Sequence, residues 1–65
     1  MRFYNQKTDS VVYINTHSVE TMEYKIESEE IHVTMINNKT HIIKLADIGS
    51  KAFDDILDYN FDLKR

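Results

Sequence analysis

The residues best suited to binding chemistry lie in the run KAFDDILDYNFD, at positions 51–62. Its four carboxylates belong to Asp54, Asp55, Asp58 and Asp62. Residues four apart are neighbours on a helix, so Asp54, Asp58 and Asp62 would form a stripe flanked by Asp55, and only Lys51 offers an i,i+4 cation to any of the four. The sequence accepts the small cost of like charges at that spacing, which favours a face that docks a partner protein. The alternatives are an ordinary solvated helix face and a mimic of nucleic-acid phosphates, whose field the eight Lys and Arg would dilute.

A second set of polar side chains could hold a small anion between subunits. Its members share an exposed strand face, and they are Lys25, Lys39, Lys44, Thr34 and Thr40. A homo-oligomer that sequesters an anionic ligand such as a nucleotide is therefore the alternative hypothesis for this chain.

The three histidines invite a metal site, since histidine is a common metal ligand. In the strand register predicted below, His32 and His41 face opposite sides of the sheet, and His17 lies in a separate turn. Zinc requires three or four convergent ligands. We therefore predict no metal and no other cofactor.

Catalytic machinery is not indicated by the sequence. Ser-His-Asp combinations can be drawn from Ser18, His17 and Asp9 or from Ser50, His41 and Asp47, but no local spacing fixes the geometry that a triad requires. A chain with one glycine and no cysteine has no glycine-rich phosphate loop and no thiol nucleophile. We predict that the protein is not an enzyme.

Size and composition set further limits. At 65 residues, with no cysteine, the chain is expected to be one small domain, 1–65, that lacks disulfides and is stabilised by oligomerisation. A net charge of −3 disfavours nonspecific nucleic-acid binding. No apolar run suits a membrane span or a signal peptide, so a cytoplasmic protein with no membrane contact is expected. Its composition, rich in Lys, Ile and Asn, suggests that a phage or mobile element encodes it, which would place the protein in a host cytoplasm.

Apolar and polar residues alternate with the period of β-strands through the middle of the chain. The pattern predicts strands at about 2–5, 11–15, 19–27, 30–36 and 39–45, followed by a helix at about 48–60. The helix has an apolar stripe of Phe53, Ile56, Leu57 and Phe61. Asp47 or Ser50 is expected to cap its start and Asn60 to end it. The predicted fold is α+β, an antiparallel β-meander of four to five strands with one C-terminal α-helix packed on one face.

Matching apolar residues across strands predicts the register. The third and fourth strands are expected to join through an even loop at Ser28 and Glu29, with cross-strand pairs Ile26–Ile31, Tyr24–Val33 and Met22–Met35. For the next hairpin, a two-residue turn would mix the two faces. An odd, three-residue loop with Asn38 in the left-handed conformation instead pairs Ile31 with Ile43 and Val33 with His41.

More apolar residues are present than one helix can cover. The surplus includes Phe3, Tyr4, Val11, Val12, Tyr13, Ile14, Val19, Ile36, Ile42 and Leu63. Closure of the sheet into a partial barrel would bury some of them, and a homo-oligomeric interface at an edge strand would bury others. This surplus predicts a homo-oligomer.

The leading hypothesis is a small non-enzymatic binding protein, encoded by a phage or mobile element, that binds a host protein. The contact would be the acidic helix face or an exposed strand edge. The nucleotide-sequestering homo-oligomer is the second hypothesis. The third is a DNA-binding regulator that reads DNA with its sheet, in which Tyr4, Tyr13 and Tyr59 would stack on bases, although no basic stretch is interleaved with them.

Overall fold

The computed structural model describes residues 1–59. Five strands form two antiparallel sheets, β1–β2 and β3–β4–β5, and two short helices follow them. The elements are β1 (Arg2–Asn5), β2 (Ser10–Tyr13), a 3-10 turn (Thr16–Ser18), β3 (Val19–Lys25), β4 (Glu30–Met35), β5 (Thr40–Lys44), α1 (Leu45–Ile48) and α2 (Ser50–Leu57). The predicted α+β class and strand meander are confirmed. No helix within the described range is long and apolar enough to cross a membrane.

The central strand β4 has one buried face because its residues alternate in polarity. Ile31, Val33 and Met35 are buried, whereas the intervening residues are partly exposed. The β4–β5 register pairs Ile31 with Ile43 and Val33 with His41, as predicted. Asn38 has φ of 70°, which confirms the left-handed residue in an odd loop.

The predicted register between β3 and β4 is wrong by two residues. Tyr24 lies opposite Ile31 and Met22 opposite Val33, so the loop spans four residues, 26–29, rather than two. A two-residue hairpin of type I′ needs positive φ at both loop positions, but only Glu29 of this loop adopts it. Ile26 therefore lies in the loop and is 74% exposed instead of joining the buried face.

The two helices cover the buried face of the larger sheet, and α2 contributes the described part of the predicted apolar stripe, whose fourth residue, Phe61, lies outside the described residues. Phe53 and Ile56 of α2 are buried in the core, and Leu57 packs against it. The Phe53 ring meets Tyr24 edge to face, with centroids 5.7 Å apart and planes inclined by 68°. The full buried set is Phe3, Ile14, Val19, Ile31, Val33, Met35, Ile43, Phe53 and Ile56.

The C-terminal helix expected at about 48–60 is α2, and a second short helix that was not predicted, α1, precedes it with Gly49 between the two. Gly49 has φ of 86°, a conformation that side chains disfavour, and its N–H donates to the Leu45 carbonyl to end α1. No side chain caps α1 or α2, so the predicted caps by Asp47 or Ser50 are wrong. Within the described chain α2 ends at Leu57, and the predicted end at Asn60 lies outside the described residues.

The β1–β2 hairpin is attached to the rest of the protein by one face and one end. Phe3 and Ile14 are buried in the common core. At the end of β1, the Gln6 N–H donates to the Asp47 carbonyl of α1 at 2.9 Å, and the Gln6 side-chain amide donates to the Ala46 carbonyl at 3.2 Å. Helix α1 therefore lies beside β1.

Candidate functional site

The acidic helix face is exposed where the structure describes it. The side chains of Asp54, Asp55 and Asp58 all face solvent, and Asp62 lies outside the described residues. Lys51 Nζ lies 3.3 Å from Asp55 Oδ2, which is the i,i+4 pair expected from the spacing. Within residues 1–59 the carboxylates of Asp54 and Asp58 have no ion pair or hydrogen bond. The face can attract cations, but a charged, solvated surface is also the ordinary outside of a helix.

The five residues of the anion hypothesis are not brought together. Lys25 and Lys44 lie on either side of Glu30 in one row across the sheet, so a carboxylate occupies the centre between the two cations. The hydroxyl oxygens of Thr34 and Thr40 are 3.3 Å apart, but they lie four residues along β4 from that row, about 13 Å away. Lys39 lies in the turn before β5.

The same sheet face contains a histidine–carboxylate pair. His32 Nε2 lies 3.1 Å from Glu30 Oε1, and this hydrogen bond holds the pKa of Glu30 below its ordinary value, with a smaller lowering by Lys44. His41 pairs with Val33 on the opposite face. No group of three or more His, Cys, Asp or Glu side chains within the described chain could hold a metal ion.

The outer face of the hairpin exposes three large side chains with apolar surface, those of Tyr4, Val11 and Tyr13. The register places Tyr4 opposite Val11 and Arg2 opposite Tyr13, and these four side chains point away from the core. Tyr13 is 73% exposed, Tyr4 51% and Val11 49%. A shallow cavity of about 220 Å³ opens beside them, lined by Arg2, Phe3, Tyr4 and Val11.

A hydrogen bond at the loop end fixes one of these rings. The Tyr4 hydroxyl donates to Asp9 Oδ1 at 2.7 Å, which raises the pKa of Tyr4. The hydrogen bond connects the ring, which lies beside Val11, to the loop between β1 and β2. Tyrosine and arginine are the side chains that most often dominate binding energy in protein interfaces.

The free edge of β2 carries unpaired backbone groups. The Met1 amino group donates to the Ile14 carbonyl at 2.9 Å, and the Ile14 N–H donates to the Met1 carbonyl at 2.8 Å, so these two residues form a hydrogen-bonded pair. Bonded and non-bonded pairs alternate along an antiparallel ladder. Val12 therefore bonds to β1, whereas Val11 and Tyr13 direct their N–H and C=O groups away from it. No other described element pairs with that edge.

Each of the other edge strands contains at least one charged residue, which β2 lacks. Strand β3 has a bulge between Val19 and Thr21 and alternating charged residues, and β5 ends at Lys44. The end of β1 is covered by α1 through Gln6. Charges, bulges and covering elements discourage pairing with other strands. Strand β2, with the sequence SVVY, contains no charge, no proline and no bulge.

Comparisons of the chain with protein-family models, with curated proteins and with solved structures gave no match. Its function must therefore be inferred from its own surfaces. Of the described edge strands, only β2 combines an uncharged sequence with an exposed aromatic side chain, that of Tyr13. The prediction of a binding strand edge included this region, but the sequence did not distinguish β2 from the other strands.

Proposed function

We propose that the protein is a non-enzymatic binding protein whose partner adds an extended segment to the edge of β2. The observation that supports this function is the outward direction of the N–H and C=O groups of Val11 and Tyr13 at an uncharged edge. An extended segment that pairs with these groups would continue the two-stranded sheet. Main-chain hydrogen bonds supply affinity in this mode of recognition, and side-chain contacts supply specificity.

The exposed aromatic face provides that specificity. Residues on neighbouring strands that lie opposite one another project to the same face, so an added strand would place alternate side chains beside Val11 and Tyr13. Arg2 of β1 lies next to Tyr13 on the side away from the added strand. A partner with aromatic or β-branched residues at alternate positions suits this surface best.

A binding role agrees with the chemistry of the cavity beside the hairpin. Its lining residues, Arg2, Phe3, Tyr4 and Val11, include no carboxylate, histidine or serine that could act as a base or nucleophile. Arg2, the one cation among them, would orient a bound peptide.

Photo-crosslinking in the native cell tests this function. p-Benzoylphenylalanine replaces Tyr13 in one variant and Ile42 in a matched control, because both residues are exposed on edge strands of the same protein. We expect a covalent adduct from position 13 and none from position 42. A host protein is the partner that the sequence suggests, and the mass of the adduct identifies it. Absence of an adduct from position 13, or equal adducts from both positions, would refute the proposal.

The acidic face of α2 is a second candidate, favoured by the unpaired carboxylates of Asp54 and Asp58. A partner held there would carry basic residues, and its binding would weaken as salt is raised because exposed charges are screened. Crosslinking from position 54 distinguishes the two surfaces. Replacing Asp55 and Asp58 with asparagine would abolish such an adduct, whereas an adduct from position 13 would be unchanged.

A further inference from the structure

We propose that a second copy of this chain occupies the edge of β2, paired antiparallel so that Val11 of each copy lies opposite Tyr13 of the other. This inference rests on the proposed function, because it names the partner of the same edge. The two hairpins would form one four-stranded sheet, with the strand order β1–β2–β2–β1 and a two-fold axis at its centre.

The register follows from which backbone groups point outward. Val11 and Tyr13 each present one N–H and one C=O, so pairing Val11 with Tyr13 across a two-fold axis makes four hydrogen bonds and places Val12 on the axis. Pairing either residue with itself would leave the other opposite Asp9 or Asn15. Asp9 has φ of 51° and is not extended, and the Asn15 carbonyl already accepts the Ser18 N–H at 3.0 Å within the 3-10 turn. Only the first register uses every outward group of the strand.

The side chains agree with this pairing. On the outer face, each row across the four strands would contain Tyr4 and Val11 from one copy and Tyr13 and Arg2 from the other. Cross-strand pairs of an aromatic and a β-branched residue stabilise antiparallel sheets. The exposed apolar face of one hairpin thus continues into that of its mate.

Electrostatics also permits two identical edges to meet. Symmetric pairing brings like charges together wherever an edge strand is charged, and β2 carries none between Ser10 and Tyr13. The nearest charged side chains, Arg2 and Asp9, lie in β1 and in the loop, one strand away from the contact or at its end. By contrast, self-pairing of β3 would involve Glu23 and Lys25.

The contact is small, which sets the strength of the dimer. Stable interfaces bury about 800 Å² on each partner, and an aromatic side chain contributes about 150–250 Å². Tyr13 is the single aromatic residue of the four-residue β2. The dimer is therefore expected to be weak and to dissociate on dilution.

Backbone methylation tests the pairing in the purified protein. A chain of this length can be synthesised with a methyl group on the Val11 nitrogen, which removes one outward N–H and leaves the bonds between β1 and β2 intact. The matched control has the methyl group on Ile42. Met35 N–H donates to the Lys39 carbonyl and Leu45 N–H to the Glu29 carbonyl, so by alternation Ile42 turns its N–H away from β4.

Sedimentation from low micromolar to millimolar concentration measures the mass. As concentration increases, the mass of the unmodified chain and of the Ile42-methylated chain should rise from 7.7 kDa toward twice that value. The mass of the Val11-methylated chain should remain at 7.7 kDa. Val11→Lys, with Ile42→Lys as its control, repeats the comparison if a methylated chain does not fold. Both wild-type residues are β-branched and about half exposed.

Two results would overturn the self-pairing. One is a monomer at every concentration, and the other is a dimer that survives both changes at Val11 or is lost equally with the changes at Ile42. A monomer that still gives an adduct with another protein from position 13 would leave the proposed function standing. Absence of both the dimer and the adduct would remove both proposals.

Discussion

Replacing Glu29 with glycine should stabilise the protein relative to the same change at Glu27. Glu29 has φ of 52°, and a left-handed conformation costs an L-residue roughly 1–2 kcal/mol. Glycine adopts that conformation without the cost. The Glu29 carbonyl accepts the Leu45 N–H at 3.1 Å, a bond that glycine retains.

Glu27 is the matched control because it lies in the same loop, is exposed and does not have positive φ. Both variants lose one glutamate side chain and gain the same freedom in the unfolded state. Their difference in the free energy of unfolding should therefore be about 1–2 kcal/mol, in favour of Glu29→Gly. Each kcal/mol shifts the Tm of a small domain by about 4–8 °C.

Thermal and urea unfolding, followed by circular dichroism, measure this difference. The Glu29→Gly variant should unfold at a higher temperature and at a higher urea concentration than the Glu27→Gly variant. Equal stabilities, or the reverse order, would show that Glu29 is not left-handed and would refute the four-residue loop between β3 and β4.

Three other substitutions test the core, the sheet surface and the helix. Phe53→Ala should cost about 3–5 kcal/mol, because the ring is 2% exposed, and should leave the chain largely unfolded by circular dichroism; a near-normal melt would contradict the packing of α2. Glu30→Gln should make the free energy of unfolding depend less on pH in the acid range. Because the pKa of Glu30 is lowered, its charge stabilises the fold at pH above its ordinary pKa of 4.5, and this contribution is lost as the pH falls below that value. Urea titrations at several pH values that give the same pH dependence for both proteins would contradict this. Asp58→Asn should raise the free energy of unfolding by about 0.2–0.5 kcal/mol at low salt, because it removes a like charge four residues from Asp54. Asp55→Asn should lower it similarly, because Asp55 pairs with Lys51. Both effects should vanish at high salt, and equal effects of the two variants would refute the pairing.

The β4–β5 hairpin could be predicted from the sequence because two independent signals agree. Matching Ile31 with Ile43 keeps the apolar residues on one face, and Asn38 tolerates the left-handed turn that this register needs. The β3–β4 register was wrong because the alternation has a period of two. A shift by two residues leaves every side chain on the same face, so Tyr24 can lie opposite Ile31 or Val33 without changing the pattern.

The candidate site was less predictable than the larger sheet. Residues 11–14 of the sequence, VVYI, are apolar on both faces, so no alternation indicates that Val11 and Tyr13 face outward. The openness of the β2 edge depends on α1 lying beside β1, which is fixed by hydrogen bonds between Gln6 and residues about forty positions away. Helix α1 was not predicted because Leu45 continues the strand alternation of His41 and Ile43, and the break before α2 depends on the backbone conformation of one residue, Gly49.

The most direct test of the central claim is amide hydrogen exchange, resolved by residue with NMR, at low and high protein concentration. In dilute protein the Val12 and Ile14 amides should be protected by their bonds to β1, while the Val11 and Tyr13 amides exchange rapidly because they face solvent. At high concentration Val11 and Tyr13 should become protected as the second copy binds. Protection of Val11 and Tyr13 equal to that of Val12 in dilute monomer would show that the edge is already closed and would contradict the account.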